Sequence, residues 1–109
     1  MSIADSTIRP TGILDGTRVE ELRGKVETIL ENSSPIVLID LEETTFVDSS
    51  GLGALVSTLK AVRAANRKLY FCSPNAQIKM VFELSGMDQA FEVFESRNAF
   101  EQQMLSLTA

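Results

Sequence analysis

Six consecutive residues, Asp48-Ser49-Ser50-Gly51-Leu52-Gly53, gather a carboxylate, two adjacent hydroxyls and two glycines. They follow the apolar pair Phe46-Val47. They also open the stripe Leu52, Leu55, Val56, Leu59 and Val62, whose three-and-four spacing marks one face of a helix. The segment therefore stands at a strand-to-helix junction, where the first backbone N–H groups of the helix lack intrahelical partners and attract oxygen. Two readings fit. Asp and Ser are preferred helix caps, and glycines let the chain turn and pack closely. A hydroxyl exposed at a helix N-terminus is also a suitable phosphate acceptor, because the dianion meets free N–H donors and the positive end of the helix dipole.

Other chemistries fail on the same residues. A nucleotide-binding loop needs a third glycine at position 56, which is Val56, or a Gly-Lys-Ser/Thr ending, which is absent. A hydrolase elbow needs Gly-x-Ser-x-Gly and a base, and the chain has no histidine. A phospho-aspartate receiver built on Asp40 or Asp48 needs an acidic pair to hold Mg²⁺, and Asp15 alone supplies too little. With no histidine and one cysteine, Cys72, among 109 residues, a Ser-His or Cys-His pair is excluded and the commonest transition-metal ligand is missing. No catalytic residue, cofactor or metal site is expected.

The formal charge of −5, from 15 acidic and 10 basic residues, argues against nucleic acid as a partner. Lys60, Arg63 and Arg67 read as a solvated face complementing the carbonyl end of the second helix. No run approaches the roughly 20 apolar residues of a membrane span, and residues 1–5 have neither the basic start nor the apolar run of a signal peptide. A cytoplasmic protein without a membrane partner is the expectation.

The elements that must position the junction follow from periodicity and punctuation. Residues 6–9, before Pro10, could form a short edge strand, and residues 11–16 read as a turn leading to a helix. Val19, Leu22, Val26, Ile29 and Leu30 define the first helix, with Thr17 and Glu20 fitting a capping box. Gly24 weakens its middle, and close packing is the one reason offered for it. Ile36-Val37-Leu38-Ile39, ending in Asp40, suits a central strand covered on both faces. Residues 69–72 form the next strand, Ser73-Pro74 caps a third helix carrying Ile78, Val81 and Phe82, and Gly86 closes it. Phe91 to Phe94 reads as a last strand before a helix with Phe100, Met104 and Leu107. Phe82, Phe91, Phe94 and Phe100 are expected to form one aromatic cluster. Alternating strands and helices imply an α/β fold: one domain over residues 1–109, with a mixed, mostly parallel sheet of about four to five strands and about four helices.

Taken together, three segments in order resemble the STAS-domain anti-sigma factor antagonists (anti-anti-sigma factors). Gly12-Ile13-Leu14-Asp15 resembles the family's Gly-x-Leu-Asp. The junction from Asp48 to Gly53 matches its Asp-Ser-Ser/Thr-Gly-Leu-Gly, and Leu84-Ser85-Gly86-Met87 resembles its Leu-x-Gly-Leu/Met. The resemblance implies a STAS-like fold, no catalysis by the domain, and phosphorylation on the first hydroxyl after the motif Asp, here Ser49, with Ser50 as second choice. It implies that Ser50 caps the helix and that Asp15 is an acidic position near the acceptor. Asp15, Asp48, Ser50, Gly51, Leu52 and Gly53 would form the phosphosite environment and partner-binding surface. The implied partners are an anti-sigma factor that is also a serine kinase of the histidine-kinase-like ATPase type, and a PP2C-type phosphatase. Two departures stand out. Only a short segment precedes Gly12 where the family usually begins with two strands, and Asn66-Arg67 replaces the glycine that commonly ends the second helix.

Overall fold

The computed structural model describes residues 3–108. In chain order its strands are β1 (Thr7–Ile8), β2 (Gly12–Leu14), β3 (Ile36–Asp40), β4 (Thr44–Val47), β5 (Lys68–Cys72) and β6 (Glu92–Phe94); its helices are α1 (Val19–Glu31), α2 (Ser49–Ala64), α3 (Ala76–Ser85) and α4 (Arg97–Thr108). The apolar run of β3 dictates the centre. Val37, Leu38, Ile39 and Asp40 are all fully buried, as a strand covered on both faces requires. β3 pairs in parallel with β5 from Ile36 against Lys68 to Asp40 against Cys72, and the sheet order is β1-β3-β5-β6. β2 and β4 form a separate parallel pair. The expected mostly parallel α/β arrangement with four helices is what is found, and every pairing among the described residues is parallel.

One face of the four-stranded sheet is covered by α1, α2 and α3, through Leu22, Val26, Leu55, Leu59, Ile78 and Phe82 among others. The opposite face is covered by α4, whose Phe100 is fully buried against Leu38, Tyr70 and Cys72, with Met104 beside it. The side chain of Leu107 lies outside the described residues, as do Met1 and Ser2. The aromatic residues accordingly do not form one cluster. Phe71, Phe82 and Phe91 pack together under α3, and Tyr70, Phe94 and Phe100 pack under α4, because consecutive strand residues point to opposite faces.

Several local expectations change. The amino-terminal strand is short: β1 holds two residues on the edge of the sheet, paired in parallel with β3. Residues 12–14, expected as part of a turn, are β2. The Thr17/Glu20 capping box does not form. Asp15 instead accepts from the Thr17 N–H at 2.9 Å and caps a 3-10 turn, Gly16–Arg18, that leads into α1. Asn75, not Ser73, caps α3, so Pro74 precedes the cap rather than opening the helix. A Cβ on Gly24 would meet nothing within 4 Å, so close packing does not account for that glycine. Arg67 is more than a solvated end charge, since its guanidinium donates to the Ser34 carbonyl at 2.5 Å, while Asn66 takes the left-handed conformation expected at the end of α2. Gly86 likewise ends α3 with φ of 78°.

Candidate functional site

The junction is assembled from three pieces of chain. Val47, the last residue of β4, is fully buried, and the next residue, Asp48, is the extended N-cap of α2. Its Oδ1 accepts from the Gly51 N–H at 2.7 Å and from the Ser50 hydroxyl at 2.8 Å. These hydrogen bonds, the backbone one foremost, hold the Asp48 carboxyl below its ordinary pKa of 3.8. The cap is thus Asp48. Ser50, implied as the cap, instead bonds to it and accepts from the Gly16 N–H at 2.9 Å.

That last contact ties α2 to the loop after β2. Gly51 explains how the loop comes so close: a Cβ built there would lie 2.0 Å from the Leu14 carbonyl oxygen, so only glycine allows the helix to pass. The Asp48 N–H also donates to this carbonyl, at 3.4 Å. Asp15, adjacent to Leu14, caps the turn that presents Gly16 to Ser50. Gly53 is exposed and Leu52 is half-buried against the core.

Ser49 differs from its neighbours. It is exposed, the first residue of α2, and its hydroxyl engages none of the described residues. The structure therefore joins Asp48, Ser50, Gly51 and Gly16 in one hydrogen-bonded cluster, sets Asp15 next to it through Gly16 but bonded to Thr17, and leaves the Ser49 hydroxyl beside it.

Further residues support the cluster without any motif to signal them. The Gln77 carboxamide pairs with both backbone groups of Val47, accepting at 3.0 Å and donating at 2.9 Å, and so stands in for a further strand beside β4. Asn75 donates to the Thr45 carbonyl at 3.0 Å. On the other side, Arg18 donates to the carbonyls of Thr11 and Ile13 at 2.8 and 3.2 Å, bracing β2. Each of these partners is distant in sequence or defined by backbone atoms, so residue type alone could not reveal it.

Away from the junction, Arg9 pairs with the fully buried Asp40 at 2.9 Å, and burial foremost pushes the Cys72 thiol up to about 11. No group of three or more His, Cys, Asp or Glu that could hold a metal ion occurs among the described residues, and no described helix is long and apolar enough to cross a membrane.

Fold and junction together define a parallel α/β domain that offers one unengaged hydroxyl on a braced helix end. Residues 2–99 match the STAS domain model, and the chain belongs to the STAS domain family. It is 30% identical over 88 residues to the anti-sigma-B factor antagonist of Staphylococcus aureus, an alignment covering 81% of this chain and 82% of that one. Among solved structures it is similar to the anti-sigma factor antagonist SpoIIAA in its unphosphorylated form, with a TM-score of 0.71 and 24% identity over 90% of this chain and 86% of that one. SpoIIAA of Bacillus is also known in a phosphorylated form. A sulfate transporter family protein from Wolinella succinogenes shares the fold, with a TM-score of 0.82 and 14% identity over 95% of this chain and 88% of that one.

Proposed function

We propose that this protein is an anti-sigma factor antagonist working as a partner switch. Unmodified, it binds an anti-sigma factor that is also a histidine-kinase-like ATPase and so releases that factor's target. Phosphorylation of Ser49 by the same ATPase ends the complex, and a PP2C-type phosphatase restores it. The observation that carries this reading is the exposed, unengaged Ser49 hydroxyl beside an Asp48–Ser50–Gly16 cluster whose hydroxyl is already committed.

The chemistry is done to the protein. Ser49 Oγ attacks the γ-phosphorus of ATP, its bond to phosphorus forms as the bond to ADP breaks, and its proton passes to a base on the ATPase. The fold tolerates the product, because a dianion at the start of α2 lies at the positive end of the helix dipole and Asp48 keeps its own partners. The interface does not. Transfer requires the partner's nucleotide phosphates to lie against Ser49, so the new phosphate, of about −1.5 to −2 charge, faces like charge and must be desolvated. Hydrolysis by the phosphatase returns the hydroxyl and releases inorganic phosphate.

The test is incubation with ATP and each histidine-kinase-like ATPase of the source genome, followed by mapping of the modified residue. Phosphate on Ser49 is the expected result; phosphate confined to residues other than Ser49 and Ser50 contradicts it. Ser49→Ala binds constitutively, and Ser49→Asp weakens the complex only in part, since a carboxylate carries less charge and fewer acceptor oxygens than phosphate.

The fold shared with the sulfate transporter family protein favours a second reading, an accessory or scaffold module that docks without switching. Pull-down from phosphatase-treated lysate separates the two: a soluble ATPase favours the switch, a transport complex the accessory role.

A further inference from the structure

The small β2–β4 sheet breaks the alternation that a half-exposed sheet normally follows. Leu14 and Val47 point inward and are buried, as the core requires. Ile13 and Phe46 point outward, where polar residues are usual, and remain 57% and 45% exposed. They are direct register partners across the two strands, so they form one contiguous apolar pair rather than two scattered side chains. Phe46 lies three residues before Ser49.

The pair is held rigidly from both sides. Arg18 fixes the carbonyls of Thr11 and Ile13 on β2, and Asn75 and Gln77 fix Thr45 and Val47 on β4. A surface that is already ordered loses little conformational freedom on binding. Carboxylates flank the pair at both ends. Glu42 and Glu43 are exposed in the turn just before β4, and Asp15 and Asp48 stand at the opposite end of the ladder. Two cations stand near and are paired: Arg9 bonds to Asp40 within electrostatic reach of Glu42 and Glu43, and Arg18, braced on β2, pairs with Glu21, so Asp15, Asp48 and the two glutamates leave the surroundings acidic on balance.

We propose that Ile13 and Phe46 are the apolar anchor through which this chain docks on its ATPase. The complementary face is an apolar pocket rimmed by Lys or Arg, which takes Glu42 and Glu43 at one end while Ser49 reaches the nucleotide at the other. The proposal rests on the partner-switch reading and adds to it where recognition resides: the apolar pair and the two glutamates set affinity and approach, and Ser49 sets only whether the docked state survives.

The test measures binding of the purified ATPase that phosphorylates the wild-type protein. Ile13→Thr and Phe46→Thr each put a β-branched, strand-compatible residue at an exposed position, and each is expected to weaken binding by about tenfold or more. A Glu42→Gln/Glu43→Gln double variant is expected to slow association and flatten its dependence on salt. Val93→Thr, which alters an exposed apolar residue of the other sheet, is expected to leave binding unchanged. Wild-type binding with both threonine variants within about twofold of it, or an equal loss in Val93→Thr, overturns the anchor while leaving the switch standing. Failure of the wild-type protein to bind any such ATPase overturns the partner-switch reading and the anchor with it.

Discussion

Two helices of this protein begin in nearly the same way and are used differently. α2 and α3 each follow a strand, and each is capped by an extended Asx residue that accepts from the third backbone N–H beyond it, Asp48 from Gly51 and Asn75 from Ile78. At α3 the cap is neutral, and its amide turns to Thr45 while Gln77 grips Val47, so polar side chains of this helix end brace β4. At α2 the cap is charged, Ser50 ties it to the loop after β2, and Ser49 is left over. One helix end thus serves as a strut and the other as a display. The local capping motif is shared, and what separates them is which groups have no structural duty.

Gly51→Val has the largest expected effect: with a Cβ 2.0 Å from a backbone carbonyl, helix and loop must part, at a cost of about 3 kcal/mol or more by urea denaturation. Gly53→Ala, two residues on with nothing within 4 Å, is expected to stabilise by about 0.5–1 kcal/mol. Gln77→Ala leaves both Val47 backbone groups without their partner and is expected to cost about 2 kcal/mol in the same assay. Asn75→Ala, removing a cap, is expected to cost about 1 kcal/mol.

Smaller effects sharpen the contrast. Ser50→Ala should lower stability by about 1 kcal/mol through two lost hydrogen bonds, whereas Ser49→Ala should change it by less than about 0.5 kcal/mol; equal losses would mean that Ser49 has a structural duty after all. Acid should also tell the two ends apart. The Asp48 carboxyl is held below its ordinary 3.8, so the stability it contributes is present above that value and is lost as pH falls through the lowered folded value. Asn75 does not titrate. Amide exchange should therefore show protection at Gly51 fading with acid before protection at Ile78.

How much of this was legible depended on whether a feature is local. The strand 36–40 and the helices carry their own periodicity, and Gly86 and Asn66 mark helix ends because the left-handed backbone selects them. β2 was hidden because Gly12-Ile13-Leu14, flanked by Thr11 and Asp15-Gly16, reads as a turn; its strand character exists only through pairing with β4, and the register shifts between Gly12 and Ile13. The capping box at Thr17 failed for a related reason. Asp15 offers a better acceptor two residues earlier, and Gly16 is drawn to Ser50, thirty-four residues away. In the candidate site the residue types were visible, and the resemblance already divided the serines into acceptor and structural residue; what was not visible is that Ser50 ties Asp48 to Gly16 rather than capping the helix, since that depends on where the distant N–H arrives. Gln77 carried no signal, because a glutamine that imitates a strand looks like any helix-surface glutamine.

In the proposed switch, Ser49 is free of structural duty because its modification decides binding. The switch is tested most directly by titrating the ATPase with protein phosphorylated only on Ser49 and, in parallel, with the unmodified form. Phosphorylation is expected to lower affinity by a factor approaching 10⁴, about 5.5 kcal/mol, as a switch from almost wholly bound to almost wholly free requires. Equal affinities for the two forms would contradict it.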